Sequence, residues 1–143
     1  MNVGCAVIER NGEILIAQRK PGDSYAGYWE FPGGKIREGE TVEECLVREL
    51  QEELGIRVRP RRLLLRKCHR DPERDIHLFF YFCDWAGGKP VTIECHAFRW
   101  IPIRRLRGQM LLPGDLDVAD RLIALKDYFF NRSTPVRYGC GED

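Results

Sequence analysis

Residues 34–56 read GKIREGETVEECLVRELQEELGI, and both fold and chemistry turn on this stretch. Thr41 suits a helix N-cap, and Glu44 three residues on completes a capping box. Val42, Cys45, Leu46, Leu50 and Leu54 recur at helical spacing and make an apolar stripe. Gly55 then stops the helix as a glycine can, in a left-handed conformation. The spacing predicts a helix over Thr41 to Leu54. Off the stripe, Glu49, Glu52 and Glu53 stand at i, i+3 and i+4, so their carboxylates project from one face. Two such charges ~5 Å apart repel by roughly 3 kcal/mol at an effective dielectric of about 20. The arrangement is poor for stability alone, and a divalent cation reverses its sign.

An isolated acidic run on a helix is ordinarily solvated surface. The preceding Pro32-Gly33-Gly34-Lys35 changes that reading, because it sets free backbone groups and a cation beside the acids, as a metal–phosphate complex requires. It is not a P-loop, since no G-x-x-x-x-G-K-[ST] occurs. Hard oxygen donors without a Cys or His ligand pattern favour Mg²⁺, with Mn²⁺ as substitute, over zinc. Arg48 and Lys35 are placed to orient carboxylates or hold phosphate.

Outward from the helix, Val3 to Glu9 and Glu13 to Arg19 are strand candidates joined by an Asn11-Gly12 turn. Lys20 to Tyr28 reads as a loop, Trp29 to Phe31 as a short extended piece, Pro32-Gly33-Gly34 as a chain break, and Lys35 to Glu40 as a polar loop. Arg57 to Lys67 and Ile76 to Trp85 are long strand candidates around Asp71-Pro72, and Phe98 to Ile101 is a last strand. Leu116 to Phe130 is a second amphipathic helix. Strands mixed with two helices predict an α/β layering in one domain over residues 1–131, followed by a short polar tail at 132–143.

The 143 residues carry 23 Lys+Arg and 22 Asp+Glu, a net charge of +1. That balance lacks the basic excess of a general nucleic-acid binder, so neither a nucleic-acid polymer nor a membrane is an expected partner. The longest apolar run, Ile76 to Cys83, is too short to span a bilayer. Met1 to Arg10 does not resemble a signal peptide, and the expected compartment is the cytoplasm. Six cysteines without a C-x-x-C pair read as free thiols, with Cys140 exposed in the tail.

Gly34, Glu40, Arg48, Glu49, Leu50, Glu52, Glu53, Gly55 and Ile56 fill every position of the pattern G-x5-E-x7-R-E-U-x-E-E-x-G-U, where U is bulky and aliphatic. Seven fixed letters at ~1/15 each make a chance match on the order of one in 10⁸ per start position. The chain thus resembles the Nudix hydrolases. Ala17-Gln18-Arg19 and the run Ala26 to Lys35 are similar to the MutT-like branch, the nucleoside triphosphate pyrophosphohydrolases. The likeness extends over Val3 to Phe130 and is strongest from Ala17 to Ile56.

The resemblance implies a Nudix α/β/α sandwich with a mixed sheet flanked by helices. It implies metal ligation by Glu49, Glu52, Glu53 and the Gly34 carbonyl, with Arg48 and Glu40 orienting them. Glu94, six residues before Trp100, matches a further glutamate that joins the metal site, and Glu49 or Glu94 is the implied base. Arg19 and Lys35 are implied phosphate contacts, and Phe31 lines the implied nucleoside pocket. For base recognition, Leu112 to Ile123 resembles a family stretch that places Asp120 on the base. Leu122 replaces that stretch's proline, Asp117 competes for the role, and helix capping is the ordinary reading of Asp115 or Asp117. The implied reaction is Mg²⁺-dependent hydrolysis of (deoxy)nucleoside triphosphates to monophosphate and pyrophosphate, with oxidised nucleotides such as 8-oxo-dGTP among the candidate substrates. The alternatives are ADP-ribose or dinucleoside polyphosphate hydrolysis, or a non-catalytic 8-oxoguanine-recognition module. The expected partner is a small-molecule nucleotide, and the chain is expected as monomer or homodimer.

Overall fold

The computed structural model describes residues 1–70 and 72–130. Asp71, the polar tail and Cys140 lie outside the described residues. Asn11 and Gly12 both take positive φ, 50° and 84°, and turn β1 (Asn2–Arg10) into β2 (Glu13–Gln18), as an Asn-Gly pair does in a two-residue hairpin. β3 (Trp29–Glu30) pairs antiparallel with the end of β2. β4 (Gly33–Lys35) pairs antiparallel with β1, placing Gly34 opposite Gly4. That strand corrects the expected chain break. A Cβ on Gly33 would overlap the Gly4 carbonyl, so the glycine permits a close pairing that its low strand propensity hides.

The predicted first helix is α1 (Val42–Leu54), and both halves of the Thr41–Glu44 capping box are made. Gly55 closes it at φ 70°, donating its N–H to the Gln51 carbonyl. β5 (Arg57–Arg70) and β6 (Asp75–Gly87) form a long antiparallel pair. β6 lies parallel to β1, and β7 (Ala97–Pro102) returns antiparallel to β2. Two short 3₁₀ turns, Ile103–Gly108 and Pro113–Asp115, lead into α2 (Leu116–Phe130).

The strands' two-residue period sorts side chains between two cores. Ala6, Ile8, Leu15 and Ala17 pack with Leu46, Leu50 and Leu54 of α1. Cys5, Val7, Ile14 and Ile16 pack with Val118, Ala119 and Leu122 of α2. The helices therefore cover opposite faces of a mixed sheet, and the fold is the α/β/α sandwich that the resemblance implies. Leu50 is fully buried, and each such leucine stabilises the fold by about 1.5–3 kcal/mol. No helix among the described residues is long and apolar enough to cross a membrane.

Candidate active site

Arg48 organises the acidic face of α1. Its Nε and Nη2 donate to the two carboxylate oxygens of Glu40 at 2.7 and 2.9 Å. Nη1 donates to Glu49 Oε2 at 2.9 Å and to Glu52 Oε1 at 3.2 Å, and Nη2 also reaches the Lys35 carbonyl at 3.1 Å. One rigid fork thus ties three acids to the loop before the helix, which a lysine cannot do. The pairing with Arg48 holds the Glu40 carboxyl down at about 2. Glu49 moves the other way: burial raises its pKa, and contact with Arg48 only partly offsets that. A Cβ on Gly34 would overlap the Glu49 carboxylate, so the glycine lets that acid lie against the β4 backbone. The Cys45 thiol donates to the Gly34 carbonyl at 3.5 Å.

Beside this face opens a hollow of about 440 Å³, lined by Arg19, Glu30, Gly34, Lys35, Glu53 and Glu94 among others. Glu53 Oε1 is buried with no hydrogen-bond partner. Burial, then the charges of Glu30 and Glu49, push the Glu53 carboxyl up to about 8. Glu94 stands in an exposed loop between β6 and β7 and its charge also raises both Glu49 and Glu53. Glu52 is turned outward, toward Arg48 and, at 4.0 Å, Arg37. Among the described residues no three His, Cys, Asp or Glu side chains gather closely enough to hold one ion between them. The residues nonetheless fit a hard divalent cation: the donors are oxygens, and Glu53 presents a buried oxygen that no protein group satisfies.

A second hollow of about 320 Å³ shares Cys5, Arg19, Glu30 and Phe31 with the first, so the two are ends of one cleft. Phe31 is buried and packs edge-on against Phe80, with ring centroids 6.0 Å apart. Arg19 is tied down, donating to Glu30 at 3.1 Å and to the Ser24 carbonyl at 2.7 Å, and so pins the loop after β2. Lys35 is exposed at the rim.

The closed end of this second hollow belongs to Asp115. It is only 4% exposed, its Oδ2 accepts the Phe31 backbone N–H at 3.0 Å, and burial pushes its carboxyl up to about 8. Asp120, the expected base contact, is instead 59% exposed and paired with Arg107 at 3.2 Å. Asp117 is paired with Lys67 at 2.8 Å. Neither lines the cleft. α2 begins at Leu116 as the sequence predicts, but which side of it faces the cleft is set by packing, not by its start. Its first turns present Asp117 and Asp120 to solvent, while the preceding 3₁₀ turn delivers Asp115 inward. The capping role considered for Asp115 is also absent: its hydrogen bond goes to the Phe31 backbone N–H, in the segment between β3 and β4. The available signal was an acid enclosed by Pro113-Gly114 and Leu116 where capping acids are common. Glu30, shared by both ends of the cleft, was missed altogether, since a single acid in a two-residue strand has no pattern.

Residues 1–124 match the family model described as the NUDIX domain. The chain belongs to the Nudix family. It is 34% identical over 126 residues to a CTP pyrophosphohydrolase of Escherichia coli K12, covering 88% of this chain and 93% of that protein. It is 42% identical over 89 residues to an 8-oxo-dGTP diphosphatase of Proteus vulgaris, covering 61% and 80%. The solution structure of the E. coli ORF135 protein superposes with a TM-score of 0.78 at 33% identity, over 90% of this chain and 92% of that one. A MutT NUDIX hydrolase from Burkholderia pseudomallei superposes with a TM-score of 0.73 at 30% identity, over 85% and 96%. The chain is thus a MutT-like Nudix hydrolase, and hydrolases of this family generally use divalent metal ions. Five free cysteines occur among the described residues, and Cys68 alone of those is exposed.

Proposed function

We propose that this Nudix hydrolase cleaves (deoxy)nucleoside triphosphates to monophosphate and pyrophosphate, with Mg²⁺ as its ion and Mn²⁺ as a substitute. The observation that carries the reading is the two-ended cleft. The orphaned Glu53 Oε1 lies at the polyphosphate end, and the buried Asp115 closes the base end. Glu53, Glu49, Glu52, Glu94 and the Gly34 carbonyl are the groups that would hold the ion. When bound, it neutralises polyphosphate oxygens and acidifies water.

The chain's own residues do the rest. Arg48 keeps Glu49 and Glu52 aimed from one helix face, while Arg19 and Lys35 meet phosphate oxygens. Glu49 or Glu94 takes the proton from the attacking water. The water oxygen bonds to the β-phosphorus as the bond to the α–β bridging oxygen breaks. The electron pair leaves on the monophosphate, and pyrophosphate carries the new oxygen. At the other end, a protonated Asp115 offers one donor and one acceptor side by side, a match for adjacent acceptor and donor groups on a base edge.

The relatives' names place oxidised deoxyguanosine and cytidine triphosphates first among the substrates to test. We further place the enzyme in the cytoplasm, as a monomer or homodimer acting on small nucleotides rather than on nucleic-acid polymers or membranes. The experiment is a nucleotide panel with Mg²⁺, with and without chelator, in ¹⁸O-labelled water. Monophosphate and labelled pyrophosphate, lost on chelation, support the reading. Faster turnover of ADP-ribose or dinucleoside polyphosphates overturns the substrate class, and 8-oxoguanine nucleotide binding without turnover overturns catalysis.

A further inference from the structure

The loop carrying Glu94 is fastened to the end of α1. A helix leaves its last carbonyls without intrahelical donors. Here the Val91 N–H donates to the Leu54 carbonyl at 3.0 Å, and the Ile93 and Glu94 N–H groups both donate to the Glu53 carbonyl at 3.2 Å. The helix therefore holds Glu94 through the main chain of Glu53, whose carboxylate shares the hollow with that of Glu94. Two side chains complete the fastening. Val91 Cγ2 and Ile93 Cδ1 sit over Gly55, each 3.2 Å from where a Cβ would stand. Val91 is 49% and Ile93 54% exposed, so neither belongs to a core. After Glu94 the chain is anchored again by buried Cys95 and by the His96 N–H on the Gln18 carbonyl at 2.9 Å.

We propose that Val91 and Ile93 are positioning residues for Glu94: by clasping Gly55 they shield the three hydrogen bonds to α1 and hold the Glu94 carboxylate in the hollow beside Glu53. This rests on the reading of Glu94 as part of the catalytic site. It also gives Gly55 a second role. Besides ending the helix, it is the flat seat on which this strap lies, and any side chain there would lift Val91 and Ile93. The effect on rate follows from geometry, because displacing a reacting group by about 1 Å can cost on the order of 100-fold.

The test compares Val91→Ser/Ile93→Ser with the conservative Ile93→Leu and with Glu94→Gln, the last also combined with the serine pair. Four readouts separate positioning from folding: thermal melting, amide hydrogen exchange at Ile93 and Glu94, Mn²⁺ affinity by electron paramagnetic resonance without substrate, and kcat and KM for dGTP. The serine pair is expected to melt as a folded protein with faster exchange at both amides and weaker Mn²⁺ binding. Its kcat should fall about 10- to 100-fold while KM stays within about twofold, and Ile93→Leu alone should keep kcat near the wild-type value. In the Glu94→Gln background the serine pair should cost little more. If Glu94→Gln is slow but the serine pair is fast, or if the two losses simply multiply, the strap proposal falls and the Glu94 reading stands. If Glu94→Gln turns over like the wild type, the Glu94 reading falls and takes the strap's catalytic purpose with it.

Discussion

Asp115 and Phe31, 84 residues apart in sequence, are joined by one hydrogen bond of 3.0 Å from the Phe31 backbone N–H to Asp115 Oδ2. It fastens the 3₁₀ turn before α2 to the segment between β3 and β4, and it fixes a buried acid at the closed end of the cleft. On the proposed reading of Asp115, base recognition would depend on the contact that also ties the turn before α2 to the segment between β3 and β4.

Asp115→Ala and Asp120→Ala should therefore behave differently. The first leaves a buried N–H unpaired, which costs about 1–3 kcal/mol. It should also lower kcat/KM for the preferred base about tenfold or more relative to the others, because a site built to hydrogen-bond discriminates through its own unpaired groups. The second removes an exposed ion pair and should alter stability by less than about 1 kcal/mol, with base preference unchanged. Melting curves and kcat/KM across four triphosphates decide it. Relaxed preference in Asp120→Ala alone would return the base contact to α2.

The Asp115 carboxyl is raised from 3.8 to about 8 by burial, so the folded protein holds this proton more tightly than the unfolded chain does. Its contribution to stability is complete below about pH 4 and is lost as pH rises through about 8. Asp115→Asn does not titrate. Without metal, the wild type should lose ground to that variant between about pH 4 and about pH 8 and level off above that. Melts of both proteins in chelator measure the difference, which also removes the parallel contribution of Glu53. A pH-independent gap would mean that the acid is charged in the fold.

Glu53→Gln should stay folded, with a melting temperature in chelator at or above that of the wild type near pH 9. It removes a carboxylate whose Oε1 is buried without a partner and which burial and neighbouring acids disfavour when charged. If Glu53 holds the ion as proposed, turnover should fall on the order of 100-fold or more, since loss of residues that merely orient a metal's ligands already costs about 10- to 100-fold. Near-normal turnover would remove Glu53 from the site.

Arg48→Lys keeps the charge and loses the fork. One ammonium cannot serve Glu40, Glu49 and Glu52 in the geometry recorded here. Turnover should drop about 10- to 100-fold, and the acid limb of the rate profile should move to higher pH as Glu49 loses the contact that offsets its burial. An unshifted profile would show that Glu49 does not depend on Arg48 for its charge.

Local rules made much of this protein legible from its residues alone. The capping box at Thr41 and Glu44, the stripe ending at Leu54, the Asn11-Gly12 turn and the spacing of Glu49, Glu52 and Glu53 all act within a few residues. They fix the local backbone and the side of the helix from which the acids start. The α/β layering followed too, from strands mixed with two amphipathic helices, and the sandwich from the family resemblance. Which strand residues face which helix did not, because β1 and β2 are apolar at consecutive positions through their middles. What the tertiary structure alone decided are relationships between distant segments. Gly33 becomes a strand because Gly4 lies against it. Asp115 is drawn inward by the Phe31 backbone while Asp117 and Asp120 turn to Lys67 and Arg107. Glu94 is held by the carbonyl of Glu53. An acid's role depends on its burial and on the donor it meets, and both are set by chain packed against it from elsewhere in the sequence.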